Sequence, residues 1–168
     1  MRLYNYTYRY IKKITIRGDI IKTALLLYPY YKGDMCKVVK GVKENGMQVD
    51  VYDISAEQPD ISEYDRIGII SGNSAFQLKK PLMKYLSENL PEGKEVFIIY
   101  AYGVYRTGCM CEHRAMIMDK ESVFLGEYGC LGFDSFGPFK VYGQNLEDSD
   151  TEQELRKCAK YIMHLLEF

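Results

Sequence analysis

Lys22 to Asn45 reads KTALLLYPYYKGDMCKVVKGVKEN. The run Ala24-Leu25-Leu26-Leu27-Tyr28 is apolar without polar alternation, and at this length it fits a strand buried on both faces. Pro29-Tyr30-Tyr31-Lys32-Gly33 predicts a turn. Met35, Val38, Val39 and Val42 then fall at i, i+3, i+4 and i+7, one face of a helix, and Asn45-Gly46 supplies a stop. The unit is strand, tight loop, helix. Such a loop leaves backbone N–H groups free at a helix N-terminus, a ready anion site.

Working outward, the same alternation recurs. Gln48–Ile54 predicts a second strand, Arg66–Ser71 a third and Glu95–Ala101 a fourth. Ser122–Phe133 is the expected fifth. Between them, Pro81 suits the first turn of a helix whose stripe is Leu82, Met83, Leu86 and Leu90. A helix over Cys111–Lys120 draws on Ala115, Met116 and Met118. The last helix offers two overlapping capping boxes, Ser149…Glu152 and Thr151…Glu154, and a stripe of Leu155, Ala159, Ile162 and Leu166 with Cys158 and Leu165 beside it. Apolar strands alternating with amphipathic helices imply a parallel sheet covered on both sides.

The 168 residues suffice for one domain with a substantial core. There is no run of eighteen apolar residues and no apolar signal core near the start, so a cytoplasmic protein without a membrane span is expected. Five cysteines without a regular framework read as reduced thiols. Net charge is −1, unevenly spread. Residues 1–17 hold Arg2, Arg9, Lys12, Lys13 and Arg17 and no acid. That leaves 22 less 5, or 17, basic against 23 acidic groups elsewhere. An acidic body can steer basic partners; plain solubility is the equal alternative.

Residues 1–21 form a basic, Tyr-rich extension. Tyr4, Tyr6, Tyr8 and Tyr10 alternate with polar residues, as a strand added at a sheet edge would, or as a basic tail could by chance. A third reading puts the translational start near Ile20 or Ile21, with Arg17-Gly18-Asp19 encoded by a purine-rich ribosome-binding site. Without a binding module the segment does not point to nucleic acid.

Residues 22–168 resemble flavodoxin-like proteins. The resemblance rests on the opening strand–loop–helix, on Ile61-Ser62-Glu63-Tyr64-Asp65 before the third strand and on Gly93-Lys94-Glu95-Val96 at the fourth. Gly132-Phe133-Asp134-Ser135-Phe136-Gly137-Pro138-Phe139 is similar to a stretch of bacterial flavodoxin-domain proteins. The C-terminal helix after Glu-Asp-Ser-Asp also fits. The resemblance implies an α/β, doubly wound, five-stranded parallel sheet of order 2-1-3-4-5. It implies flavin mononucleotide (FMN) at the carboxyl ends of the strands, where such sheets bind ligands. The loop Tyr28–Cys36 would hold phosphate; Ser71–Phe76 and Ala101–Cys109 would flank the isoalloxazine.

The phosphate loop departs from the family. Flavodoxins set Ser or Thr hydroxyls around a Gly; here only Gly33 matches, and Tyr30, Tyr31, Lys32 and Met35 stand at the hydroxyl positions. Losing two hydrogen bonds to a charged group costs about 3–6 kcal/mol, on the order of 10²–10⁴ in affinity. The backbone N–H groups of Gly33, Asp34 and Met35 and the charge of Lys32 offset that. Asp34 opposes it, because a carboxylate at a helix start caps the donors a phosphate needs. A modified phosphate site and a self-capped helix both stay open.

Around the ring the candidates are Gly72, Asn73, Ser74 and Phe76 in the second loop and Tyr102, Gly103, Tyr105 and Gly108 in the third. Phe76 and Tyr102 or Tyr105 would stack, and the glycines would let backbone amides approach. With 16 tyrosines in the chain, each stacking candidate is also explicable as an ordinary loop aromatic. Cys109-Met110-Cys111-Glu112-His113 matches no common zinc spacing. No nucleophile–base pair stands out, so no catalytic residue and no metal are expected. The resemblance therefore implies an electron-transfer module that meets redox partner proteins through its acidic surface. The alternatives are an NAD(P)H-dependent flavin or quinone reductase, which lacks a nicotinamide fingerprint here, and a flavin-free binding or scaffold domain.

Overall fold

A computed structural model describes residues 21–28, 34–72, 78–102, 110–131 and 148–167. Five strands, β1 (Thr23–Tyr28), β2 (Asp50–Asp53), β3 (Arg66–Gly72), β4 (Glu95–Tyr102) and β5 (Val123–Leu131), form one sheet of order β2-β1-β3-β4-β5. Every pairing is parallel. Among the described residues three helices lie between strands, α1 (Asp34–Glu44), α2 (Lys80–Asn89) and α3 (Cys111–Asp119), and α4 (Asp148–Leu166) follows β5. This is the doubly wound sheet that the alternation predicts.

The period of two along each strand sorts side chains into two cores. Ala24, Leu26, Ile67, Ile69, Val96, Ile98 and Tyr100 face one layer with Leu82, Tyr85 and Leu86 of α2 and Ile117 of α3. Leu25, Leu27, Ile70, Phe97, Ile99 and Ala101 face the other, with Met35, Val38, Val39 and Val42 of α1 and Leu155, Cys158, Ala159 and Ile162 of α4. Strands buried on both faces need no polar alternation, which is why their runs are continuous.

Local chemistry sets the element ends. After α1 the Asn45 side-chain amide donates to the Gly41 carbonyl at 2.7 Å, and Gly46 takes φ +81°. Ala159 of α4 lies so near α1 that a Cβ at Gly41 would be 3.5 Å from its methyl. β5 carries a bulge: Val96 pairs with Phe124 but Phe97 with Gly126, leaving Leu125 unopposed. Gly126 has φ +150°, and a Cβ there would meet the Tyr161 hydroxyl.

At the amino edge Arg66 is 3% exposed. Its Nε donates to Glu95 Oε2 at 2.7 Å, a second nitrogen lies 2.6 Å from the same oxygen, and a third donates to the Leu165 carbonyl. One guanidinium thus joins β3, β4 and the last turn of α4.

The helix expected over Cys111–Lys120 is present as α3; it buries His113 and Ile117, with Met116 half-buried against the same core, Ala115 exposed and Met118 64% exposed. α4 begins at Asp148, so Ser149 and Thr151 both lie inside it and neither is its N-cap. The second strand is shorter than predicted, at Asp50–Asp53, and the fifth begins at Val123 rather than Ser122, with Gly132 and Phe133 outside the described residues.

Candidate functional site

β1 hands the chain to α1 on one layer, and β3 hands it to α2 on the other. Neighbouring strands β1 and β3 therefore lead to helices on opposite layers, the switch point at whose carboxyl edge open α/β sheets bind ligands. Across this edge Tyr28 of β1 is level with Ser71 of β3, and Ser71 with Tyr100 of β4. In a parallel sheet level residues share a face, here the α2–α3 face.

Ser71 is fully buried and donates its hydroxyl to the Gly72 carbonyl at 3.0 Å. Tyr28 and Tyr102 are half-buried and pack against the same core. The Tyr102 and Tyr100 rings lie 6.0 Å apart, tilted at 48°. Both press on Gly129, where a Cβ would come within 2.9 Å of either ring.

The predicted site residues divide sharply. Tyr30, Tyr31, Lys32, Gly33, Asn73, Ser74, Phe76, Gly103, Tyr105 and Gly108 lie outside the described residues, as does the Asp34 side chain. Asp34 is the first residue of α1. Met35 is 1% exposed and sits in the α1–α4 core, so only its backbone faces the loop. Gly72, buried at the end of β3, is level with Ala101, one residue before Tyr102. The structure thus brings the N-terminus of α1, Gly72 and Tyr102 to one edge. Tyr28 and Ser71, the first residues of the expected loops Tyr28–Cys36 and Ser71–Phe76, join them at the ends of β1 and β3.

The Cys109–His113 motif resolves into different environments. Cys111 is exposed, with the Arg114 guanidinium 3.7 Å from its sulfur. Arg114 Nε and Glu127 Oε2, both buried atoms, face each other at 3.4 Å as an ion pair without hydrogen-bond alignment. His113 is 3% exposed, and its Nε2 accepts the Leu78 backbone N–H at 3.3 Å. Its Nδ1 is buried and has no partner among the described residues, an arrangement that costs about 1–3 kcal/mol. Burial lowers the His113 pKa, against a smaller upward pull from Glu112. Among the described residues no three His, Cys, Asp or Glu side chains gather as a metal site. No helix among them is long and apolar enough to cross a membrane.

Cys130 and Cys158 are fully buried between β5 and α4. The Cys158 thiol hydrogen-bonds Cys130, and this contact together with burial pushes its pKa far up. Cys130 in turn donates to the Tyr100 carbonyl at 3.7 Å. Both are inert core thiols.

No protein-family model matches the chain. Over 147 residues it is 29% identical to an uncharacterized protein of Methanocaldococcus jannaschii, spanning 85% of this chain and 97% of that one. Among solved structures it is similar to an archaeal flavodoxin (16% identity, 87% of this chain and 99% of that one, TM-score 0.56). It is also similar to an NADPH-quinone reductase from P. pentosaceus (16% identity, 83% and 96%, TM-score 0.58). A third is a Fusobacterium nucleatum flavodoxin variant bound to flavin mononucleotide (14% identity, 87% and 96%, TM-score 0.58). The chain has the flavodoxin-like fold.

Proposed function

We propose that this protein binds FMN at the carboxyl edge of the sheet and carries electrons between protein partners. The observation that carries the reading is that neighbouring strands β1 and β3 lead to helices α1 and α2 on opposite layers, the arrangement in which open α/β sheets bind ligands at their carboxyl edge. The described residues fit the cofactor. The N-terminus of α1 would favour a phosphoester through its first backbone amides and the helix dipole. Tyr28 and Tyr102, half-buried at the rim, offer aromatic surface to a flat apolar ring. When bound, FMN supplies one- and two-electron chemistry; the chain's part is to hold it, orient it and limit water.

The flavodoxin and quinone-reductase neighbours support a redox role on this fold. The acidic excess outside residues 1–17 would steer basic redox partners, with rates that fall as salt rises.

Visible absorption of the purified protein and titration with FMN test the reading. Flavin bands that persist through gel filtration support it. Colourless protein that neither quenches FMN fluorescence nor shifts its spectrum would leave a flavin-free domain. NADPH oxidation with a quinone acceptor, at many turnovers per protein, would instead make it a reductase.

A further inference from the structure

Tyr28 of β1, Ser71 of β3, Tyr100 of β4 and Gly129 of β5 are level across the sheet. Level residues share a face, so this row near the carboxyl edge alternates ring, small, ring, small. Tyr102 lies two residues beyond Tyr100, on the same face. A Cβ at Gly129 would stand 2.8 Å from Tyr100 Cζ, 2.9 Å from Tyr100 Cε2 and 2.9 Å from Tyr102 Cε1. No side chain fits there unless a ring moves.

The backbone does not itself call for glycine at this position. Among the described residues the glycines at positive φ are Gly46, Gly93 and Gly126, and Gly129 is not one of them. What the missing side chain supplies is room for the two rings. They use it differently. Tyr100 is 3% exposed, and packing on every side fixes a ring of that kind. Tyr102 is half-buried at the end of β4. Its ring is tilted at 48° to that of Tyr100, 6.0 Å away, and its edge rests on Gly129. A ring at a strand end is held from fewer sides, so its tilt follows the surface beneath it.

We propose that Gly129 is a positioning residue: lacking a side chain, it seats the Tyr102 ring against β5 at the tilt from which that ring meets the flat face of a bound flavin. The part concerning flavin rests on the function proposed above; the seat does not. Gly129 touches no cofactor in this account and acts only through Tyr102.

The test starts with ¹³C,¹⁵N-labelled full-length wild type. In the free protein the Gly129 Hα protons should show nuclear Overhauser contacts to the Tyr102 and Tyr100 rings. With FMN added, the Tyr102 ring should show contacts to the isoalloxazine while its contact to Gly129 persists. FMN affinity is then read by fluorescence quenching. A stacked aromatic pair contributes roughly 3- to 10-fold, so Gly129→Ala and Tyr102→Leu should each bind about that much more weakly. The double variant should bind no more weakly than Tyr102→Leu alone. Tyr28→Leu, beyond Tyr100 and Ser71 in the row, should instead add in full to Gly129→Ala. The visible circular dichroism of bound FMN should change in Gly129→Ala. Should Gly129→Ala not fold, the same substitution in a Tyr100→Leu background, where the buried ring is gone, is compared with Tyr100→Leu.

Absence of the Gly129–Tyr102 contact in free wild type overturns the seat whatever the variants do. FMN that binds without touching Tyr102, folded Gly129→Ala that binds FMN as wild type does, or full additivity with Tyr102→Leu overturns the positioning role. Wild type that takes up no FMN overturns the flavin reading and the flavin half of this inference, and the contact in the free protein then decides the seat alone.

Discussion

The Phe97 ring occupies the space above Gly68: a Cβ at Gly68 would lie 2.4 Å from Phe97 Cζ and 2.7 Å from Leu25 Cδ2. The three residues are level on adjacent strands and point into the α1–α4 core, where the ring is fully buried. Gly68→Ala should destabilise the domain by about 1–3 kcal/mol through overpacking. Adding Phe97→Leu to that variant should cost less than Phe97→Leu does alone. Urea midpoints of the four proteins give the coupling directly; strict additivity would show that the ring can move aside without loss.

The Arg66–Glu95 pair is buried on the arginine side and 12% exposed on the glutamate side. Replacing Glu95 by Leu leaves the guanidinium without its carboxylate and should cost roughly 3–5 kcal/mol. Replacing both, as Arg66→Met with Glu95→Leu, should cost less than Glu95→Leu alone, because no unpaired charge remains. Thermal and urea unfolding of the two variants would decide it.

Alkaline stability should depend on Tyr85. Its hydroxyl donates to the Pro59 carbonyl at 2.7 Å, and burial raises its pKa to about 12. A tyrosine raised from 10.0 holds its proton in the folded state after the unfolded chain has lost it. Its contribution is full below pH 10 and declines as pH rises toward 12. Tyr85→Phe should cost about 0.5–1.5 kcal/mol at pH 8 but show a shallower loss of urea midpoint between pH 9 and pH 11. A parallel decline in both proteins would count against Tyr85.

Thiol labelling should separate the cysteines by place. Cys36 and Cys111 are exposed, whereas Cys130 and Cys158 are buried and share a hydrogen bond that holds the Cys158 thiol protonated. Brief alkylation of the native protein followed by peptide mapping should modify Cys36 and Cys111 and spare the other two until denaturant is added. Rapid native labelling of Cys158 would mean that α4 opens far more readily than its packing implies.

Much of the fold was legible because its strands are doubly buried. The runs Ala24–Tyr28, Ile67–Ser71 and Val96–Ala101 need no polar residues, so periodicity had little to compete with. Strand order came from resemblance, since nothing in the runs themselves says which strands pair. α3 was placed to within a residue, but its inner face was not legible, because it uses His113 and Ile117, while Met118 faces solvent. At the site, Gly72 and Tyr102 were read as the first residues of loops but close β3 and β4, while Tyr28 was read both as the end of an apolar run and as the start of the phosphate loop. The link between Leu78 and His113 was invisible, because a side chain meeting a backbone amide across 35 positions leaves no local pattern.

The clasp at Arg66 also bears on how the chain is made. Its carbonyl partner at Leu165 lies 99 positions downstream, so during synthesis the guanidinium must wait, at best half satisfied by Glu95, until the final helix has emerged from the ribosome. The first four strands can gather before then, yet their lower margin stays unsealed, and a nascent chain stalled short of Leu165 would present that gap to chaperones and proteases.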